Sequence, residues 1–346
     1  MSLRINVGHR LAHFKQPAGT SRGVYLTRNT WIVTVRDTVT GQTGVGECAP
    51  LPDLSCDAIP DYEQRLRDIC RFVEMNDGID TCLLRPYPSM LFGLETAMLN
   101  LQNGGDVIFD TPFTRGEEGI PINGLVWMGT AEEMTRRVEE KLKAGFRCVK
   151  LKIGAIDFEQ EVAIIKGIRD RFPADVIQLR LDANGGFSPE DAMKKLDWLA
   201  KYDIHSIEQP IRQRLWRSMA DICRNSPIPI ALDEELIGVN IPEMKCQLLD
   251  EIHPAYIILK PSLHGGMCGC EEWVALAQER GIGSWMTSAL ELNVGLNAIA
   301  QFAAHLYGPS LTMPQGLGTG QLFTDNIPMP LIIKGEKLYL LPLTTK

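Results

Sequence analysis

The sequence predicts an α/β protein in which a (β/α)8 barrel of the TIM type follows a smaller N-terminal α+β domain. Three observations support this prediction. The chain is long, at 346 residues, and after residue 115 short β-branched runs alternate with amphipathic helical stretches. Eight such runs recur roughly every 25–30 residues, which is the spacing of a βα unit. A doubly wound open sheet is the rival, but no Gly-rich phosphate-binding loop follows the first run.

The N-terminal region, residues 1–115, has a different pattern. Thr30–Asp37 alternates along its length and is rich in β-branched residues, and Gly44–Glu47 follows after a turn, so the pair predicts a hairpin. Helices are expected over Asp61–Met75 and Ser89–Asn103, the second of which ends at a glycine pair. Strands followed by helices predict a compact α+β unit.

The barrel is predicted over residues 116–314, and residues 315–346 are expected to return to the N-terminal domain. Turn and cap residues mark the helices between the strands. Ser188, for example, is a good N-cap and precedes Pro189 at the first helical position. The predicted strands are Ile120–Val126, Cys148–Ile153, Ile177–Ala183, His205–Glu208, Ile228–Leu232, Ala255–Lys260, Gly283–Thr287 and Leu311–Met313; two of the predicted helices are Ala131–Ala144 and Asp157–Phe172.

Composition and charge restrict the partners of the protein. Hydrophobic residues make up 45% of the chain and charged residues 23%, which is typical of a folded globular protein. The net charge of −8 argues against nucleic-acid binding and docking on anionic membranes. The sequence has neither a transmembrane stretch nor the apolar segment of a secretion signal. The nine cysteines are scattered and form no zinc or disulfide pattern. We therefore expect a cytoplasmic protein that acts on a small molecule.

A charged residue closes each of five consecutive predicted barrel strands. These residues are Lys152, Asp182, Glu208, Asp233 and Lys260, and they stand roughly 25–30 residues apart along the chain. Active sites of barrel enzymes lie at the C-terminal ends of the strands. One such charge alone is commonly a solvated loop-edge residue, but five at matching positions indicate a functional site.

The three acidic members of this set point to a metal ion. Asp182, Glu208 and Asp233 end neighbouring strands, so their carboxylates converge and repel one another unless a cation lies between them. Oxygen-only ligands suit Mg²⁺ and, less specifically, Mn²⁺. We therefore expect these three residues to be metal ligands.

The lysines predict an acid–base reaction beside that metal. Lys150 and Lys152 point to the same face of their strand, and Lys260 ends the strand on the opposite side of an eight-stranded barrel. A metal bound to a carboxylate stabilises the enediolate that forms when a proton is removed from the α carbon. Lys152, with Lys150 as its cationic neighbour, is the candidate base.

This set of residues resembles that of the enolase superfamily, whose use of a lysine or histidine base with Mg²⁺ is a known pattern. The pair Lys150 and Lys152, together with Lys260, is similar to the muconate lactonizing enzyme subgroup. The mandelate racemase subgroup would carry a His–Asp dyad, which the sequence does not show. The resemblance covers nearly the whole chain and implies a modified barrel with an N-terminal capping domain.

Within the subgroup, the segments Gly46–Ser55, Ser288–Glu291 and Gly316–Gly320 are similar to the o-succinylbenzoate synthase family of menaquinone biosynthesis. That resemblance implies a hydro-lyase acting on 2-succinyl-6-hydroxy-2,4-cyclohexadiene-1-carboxylate. It implies that Lys152 removes the proton and then returns it to the departing hydroxyl in a syn dehydration. Lys260 would stabilise the enediolate as a cation.

Other activities on the same scaffold stay open. They are N-succinylamino acid racemisation, dipeptide epimerisation and muconate cycloisomerisation, and a barrel that binds without catalysis is a further alternative. Dipeptide epimerases carry an Asp-x-Asp motif after the eighth strand, whereas residues 311–323 contain no Asp. The candidate substrate-binding residues are Ser262, Ser288 and Glu291, which stand at or just beyond strand ends.

Overall fold

The structure is a computed structural model that describes residues 2–20, 23–127, 129–154 and 156–341. The N-terminal region folds as an antiparallel sheet covered by helices. Its strands are β1 (Leu3–Thr20), β2 (Gly23–Asp37) and β3 (Thr43–Cys48), in that order across the sheet, and its helices are α1 (Tyr62–Asn76), α2 (Thr81–Leu84) and α3 (Pro88–Asn103). The predicted hairpin and both predicted helices of this region are confirmed. Three of the four helix ends differ from the prediction by one residue.

Glycines let helix α3 lie directly on strand β3. A Cβ atom at Gly46 would stand 1.9 Å from the carbonyl oxygen of Gly93, and a Cβ atom at Gly93 would stand 2.3 Å from Cys48 Sγ. Both distances are far below van der Waals contact, so the two backbones touch only because both positions lack side chains. This contact fixes the helix against the sheet and leaves the rest of α3 to face the barrel.

A curled parallel sheet of seven strands forms the second region. The strands run in sequence order across the sheet, from β5 to β11, and helices connect them. The bounds are β4 (Ile120–Pro121), β5 (Gly124–Val126), α4 (Ala131–Lys143), β6 (Cys148–Lys152), α5 (Phe158–Arg171), β7 (Gln178–Asp182), α6 (Pro189–Leu199), β8 (Ile204–Glu208), α7 (Trp216–Asn225), β9 (Ile230–Leu232), α8 (Pro242–Ile252), β10 (Tyr256–Leu259), α9 (Gly266–Gln278), β11 (Gly283–Met286) and α10 (Asn293–Tyr307).

The eighth strand predicted at Leu311–Met313 is wrong. No strand forms there, and the eighth position of the barrel is held by Gln315 and Gly316, which make isolated parallel bridges to Ile122 and Thr287. The predicted run leads directly into Pro314, which has no N–H to donate to a ladder. The backbone reaches both sides of the gap one residue later: Gln315 donates to Pro121 and accepts from Asn123, on the segment that leads into β5, and Gly316 donates to Met286 in β11. These two residues join the edges of the seven-stranded sheet.

The helix starts follow the sequence signals. Thr130 caps α4 in a capping box with Glu133, Asp157 accepts two backbone N–H bonds at the start of α5, and Ser188 accepts one at the start of α6. Each cap satisfies N–H groups that have no partner inside the helix.

Two glutamates dock the N-terminal region on the barrel. Glu47, from β3, accepts the backbone N–H bonds of Leu292 and Gly295 at the start of α10, each at 2.8 Å. Glu95, from α3, accepts that of Met267 at 2.6 Å at the start of α9. Burial raises the pKa of each carboxyl to about 7. Because α9 and α10 start where strands end, the N-terminal region covers the C-terminal mouth of the barrel.

The C-terminal segment contacts both regions. The ring of Phe323 stacks on that of Phe14 in β1 at 4.5 Å, and Asp325 pairs with His13 at 3.0 Å. The last strands, β12 (Leu331–Lys334) and β13 (Lys337–Leu340), form a small antiparallel sheet with β4.

The domain limits at residues 115 and 314 stay a prediction. Among the described residues, no helix has both the length and the apolar character needed to span a membrane.

The glycine contact beneath α3 generates a test of the fold. We expect Gly46→Ala to lower the free energy of unfolding by about 1–3 kcal/mol or more, because the new methyl group must push α3 away from β3. Chemical denaturation followed by circular dichroism measures the change. Gly8→Ala is the matched control, since a Cβ atom there would meet nothing closer than 4.0 Å. Equal stability of the two variants would contradict this account of the packing.

Candidate active site

The charged residues that close the strands meet at one level of the barrel. In the register of the sheet Lys152 pairs with Asp182, and Asp182 pairs with Glu208. Asp233 and Lys260 directly follow β9 and β10. Asp182, Glu208 and Asp233 are exposed by only 0%, 2% and 1%. The structure therefore brings all five together in the interior of the barrel mouth.

Lys150 bridges two of the carboxylates. Its Nζ atom donates to Glu208 Oε2 at 2.8 Å and lies 3.0 Å from Asp182 Oδ2. Lys150 and Lys152 both face the interior, as the strand period predicts. Because its ammonium group is bound between two carboxylates, Lys150 serves as a charge partner for the acidic residues.

Lys152 occupies a different position, toward the open cavity. Its Nζ donates to Asn184 Oδ1 at 2.9 Å, lies 3.6 Å from Asp182 Oδ2, and stands 5.6 Å from the centre of the Trp127 ring. The Asn184 amide group in turn donates to Glu234 Oε1 at 3.0 Å. This second bond fixes the orientation of the amide, so its oxygen faces Lys152.

Lys260 lies on the opposite side of the barrel from Lys152, with three strand positions between β6 and β10 in either direction. Its ammonium group forms an ion pair with Asp233. The backbone N–H of Lys260 donates to His264 Nδ1 at 2.9 Å, and burial lowers the pKa of His264 to about 3. The neutral imidazole thus accepts a bond that holds the start of the loop carrying Lys260.

The acidic residues respond to burial and to these lysines in different ways. Burial raises the pKa of Glu208 well above its ordinary value, and the charge of Asp182 raises it further. Burial also acts to raise the pKa of Asp182, but Lys150 and Lys152 outweigh it and lower that pKa to about 2. Burial acts to lower the pKa of Lys150, yet Asp182 and Glu208 raise it overall. Neighbouring lysines therefore keep Asp182 negatively charged, whereas burial and the charge of Asp182 favour the neutral form of Glu208.

A cavity of about 780 Å³, which includes space open to solvent, lies above these charges. Its floor is charged and its walls are largely apolar, the arrangement expected of a small-molecule site. The walls come from the loop after β3, from the barrel and from the segment after Gln315. The lining residues are Leu51, Leu54, Asn123, Leu125, Trp127, Lys150, Lys152, Asp182, Asn184, Glu208, Asp233, Glu234, Lys260, Leu263, Thr287, Ser288, Ala289, Leu290, Gly316, Gly318 and Thr319.

The three candidate substrate-binding residues lie in different places. Ser288 lines the cavity, and its hydroxyl group lies 2.6 Å from that of Thr319. Ser262 and Glu291 are fully buried, hydrogen-bond to each other and do not line the cavity. The Glu291 carboxylate also accepts the backbone N–H of Ala289 at 2.6 Å, so it supports the cavity wall from behind.

The carboxylate oxygens of the acidic residues are suitable ligands for a hard divalent cation. In the described part of the chain no three His, Cys, Asp or Glu side chains are grouped to hold a metal by themselves, because Lys150 and Lys260 lie against the carboxylates. Two buried oxygens, Glu208 Oε1 and Asp233 Oδ1, nevertheless have no hydrogen-bond partner among the described residues. Unpaired buried carboxylate oxygens from neighbouring strands are the ligands that Mg²⁺ prefers.

Asn184, Glu234 and Trp127 line the cavity but were not assigned to the site from the sequence. A signal for Asn184 was available, because it stands two residues after Asp182, so an extended chain would direct both side chains to the same face. Glu234 directly follows Asp233 and has an unpartnered buried oxygen of its own among the described residues. Trp127 follows β5 and carried no charge to mark it.

Comparison with protein families gives two matches. The family model described as "Enolase C-terminal domain-like" matches residues 133–330, and the model "MenC, N-terminal domain" matches residues 21–101. The first match covers more than half of the chain and most of the barrel. The second covers most of the N-terminal sheet and helices.

Individual relatives agree with these matches. The o-succinylbenzoate synthase of Desulfotalea psychrophila is 47% identical over 94% of this chain and 95% of its own. The crystal structure of MenC from the same organism has a TM-score of 0.84 and 42% identity, and the match covers 98% of this chain and all of that one. The o-succinylbenzoate synthase of Thermosynechococcus elongatus, solved with Mg in its active site, has a TM-score of 0.74 and 22% identity over 94% of this chain and 95% of its own. The chain belongs to the enolase superfamily and, within it, to the o-succinylbenzoate synthase family.

Proposed function

We propose that the chain catalyses the syn dehydration of 2-succinyl-6-hydroxy-2,4-cyclohexadiene-1-carboxylate to o-succinylbenzoate, a hydro-lyase step of menaquinone biosynthesis. The observation that carries the proposal is the placement of Lys152 and Lys260 on opposite sides of three buried carboxylates under an apolar cavity. A base and a cation that flank one substrate carbon suit proton removal next to a carboxylate.

The protein's own residues would divide the reaction between them. Lys152 takes the proton from the carbon next to the carboxylate, the ring C–O bond breaks, and the same ammonium group returns the proton to the departing hydroxyl as water. One group can serve both steps because proton and hydroxyl leave from the same face. Asn184 holds the Lys152 amine at 2.9 Å. Lys260 places positive charge on the other side of the substrate, where negative charge develops.

The proposed cofactor is Mg²⁺, with Mn²⁺ as the less specific alternative, and Asp182, Glu208 and Asp233 would hold it. When bound, the metal would stabilise negative charge on the substrate carboxylate. The oxygen-only donor set and the unpartnered oxygens of Glu208 and Asp233 support this assignment.

The walls of the cavity suit a ring that becomes aromatic. Leu54, Leu125, Trp127 and Leu290 present apolar surface to the space above the charged floor. A dipeptide would bring a free ammonium group that needs a carboxylate, and residues 311–323 offer no Asp for it. Ser288 and Thr319 are the polar groups that we propose for the second carboxylate of the substrate.

A direct assay tests the proposed function. Purified protein is mixed with the cyclohexadiene carboxylate and Mg²⁺, and loss of substrate absorbance is followed with and without EDTA. We expect fast loss that EDTA abolishes. Absence of turnover by folded, metal-loaded protein would contradict the proposal, and α-proton exchange of N-succinyl amino acids or dipeptides in D₂O would then identify the alternative activities.

Replacing the proposed base separates chemistry from metal binding. We expect Lys152→Ala to lower kcat by about 10³-fold or more, because the variant loses both the base and the acid of the reaction. Calorimetry should find its affinity for Mg²⁺ retained, since the amine is not a ligand. Lys195→Ala, which removes a lysine that stacks on Phe187 outside the cavity, should keep wild-type turnover. Turnover of Lys152→Ala within about tenfold of wild type would refute the assignment.

Replacing one proposed ligand tests the metal site. We expect Glu208→Gln to weaken Mg²⁺ binding by about tenfold or more, because one of three anionic ligands becomes neutral. Isothermal titration calorimetry measures the affinity. Glu95→Gln is the matched control, a glutamate of the N-terminal region that binds the start of α9 outside the cavity. Equal affinity in the Glu208 variant and the control would place the metal elsewhere.

A further inference from the structure

Arg28 lies in the interface between the N-terminal region and the barrel, and it has no role in the proposed dehydration. It belongs to β2, and only 1% of the residue is exposed. Arg28 does not line the cavity. No carboxylate lies within ion-pair distance of it in the parts of the chain that the structure describes, although the charges of Glu291 and Glu47 oppose the lowering of its pKa by burial. A buried guanidinium is costly unless its N–H groups are satisfied, so its bonding partners require an explanation.

The partners of Arg28 are four backbone carbonyls from two loops. The guanidinium donates to Ala49 at 2.7 Å and also to Pro50, both in the loop that follows β3. It donates to Ala289 at 3.2 Å and to Leu290 at 3.1 Å, both in the loop between β11 and α10. A single side chain therefore binds one loop of the N-terminal region to one loop of the barrel.

These two loops form the roof of the cavity. The first loop contributes Leu51 and Leu54, and the second contributes Ala289 and Leu290, all of which line the cavity above the charged floor. Leu51, Leu54 and Leu290 also pack together in one apolar cluster. The relative position of the two loops thus sets the shape of the apolar surface that a substrate meets.

The second loop is strained at the residue that Arg28 holds. Leu290 has a φ of +63°, a left-handed conformation that is sterically unfavourable for a branched side chain. Such a conformation persists only where surrounding contacts enforce it. The bond from Arg28 Nε to the Leu290 carbonyl is one such contact, and the bonds to Ala49 and Pro50 anchor it to the opposite loop.

We infer that Arg28 is a positioning residue that holds the two loops of the cavity roof in register and so determines how tightly the substrate binds. The effect is on binding, because the roof contacts the substrate away from Lys152 and the carboxylates. The kinetic part of this inference rests on the proposed function. The structural part of the inference, that one guanidinium fixes the positions of both loops, does not rest on the proposed function.

Kinetics and hydrogen exchange of Arg28→Lys test the inference. Lysine keeps the positive charge but cannot reach four carbonyls at once. We expect KM for the cyclohexadiene carboxylate to rise about tenfold or more while kcat falls less than about threefold, since uniform binding is lost and chemistry is retained. Without any ligand, the amides of Leu51 and Leu54 in the first loop and those of residues 287–292 in the second should exchange at least about tenfold faster than in the wild type.

The chain offers a matched control in Arg169. Its guanidinium also donates to four backbone carbonyls, those of Tyr202, Phe172, Ile177 and Asp203, but on the outside of the barrel. Arg169→Lys should lose stability and local protection near α5 while KM and the two roof loops stay unchanged. A rise in KM common to both arginine variants would mean a general loss of stability and would overturn the inference.

The exchange measurement also keeps the inference separate from the proposed function. If wild-type protein does not turn over the substrate, the proposed function fails, and exchange in Arg28→Lys still decides the role of Arg28. Unchanged exchange in both loops of that variant would overturn the inference. If the variant does not fold, native-state exchange of the wild type in denaturant decides: we expect the two loops to open together, and independent opening would overturn the inference.

Discussion

Mutual repulsion among three buried carboxylates is the constraint on which the rest of the site depends. Two unit charges about 4 Å apart cost about 4 kcal/mol at the effective dielectric constant of a partly buried site. Asp182, Glu208 and Asp233 therefore cannot all stand ionised together without cations. Lys150 and Lys260 bind directly to them. The groups that make the acidic cluster tolerable in the folded chain thus stand beside Lys152, the proposed base.

Docking of the N-terminal region adds an apolar roof to this charged floor. Glu47 and Glu95 bind the starts of α10 and α9, which lie at the ends of strands. The N-terminal region is thereby fixed over the same end of the barrel where the charges meet. Excluding water from that space strengthens every electrostatic interaction within it. The docking contacts therefore support the chemistry without touching a substrate.

The sequence was sufficient to predict the charged floor and most of the fold. The C-terminal end of a strand recurs once in each βα unit, so the sequence alone predicts that Lys152, Asp182 and Glu208 lie at one level of the barrel. The eighth strand could not be placed, because two residues with no strand pattern close the sheet there. The hydrogen-bond and ion-pair partners of the site residues could not be predicted from the sequence either. Strand periodicity predicts that Lys150 points inward, but it does not predict that Asp182 and Glu208 bind it. The hydrogen bond between Ser262 and Glu291 was equally unpredictable, because it joins two loops that are distant along the chain.

The two regions of the molecule carry different parts of its specificity. The floor comes from the barrel, which matches the model described as "Enolase C-terminal domain-like", and its carboxylates and lysines are the groups that we propose for metal binding and proton transfer. Leu51 and Leu54 come from the N-terminal region, which matches a narrower family, and they shape the space above that floor. Under the proposed function, a change in the roof would alter which carboxylate fits while the proposed base and its neighbours stay in place. Arg28 binds both loops of this roof through their backbone carbonyls, so the shape of the apolar surface depends on a contact that lies away from the charged floor.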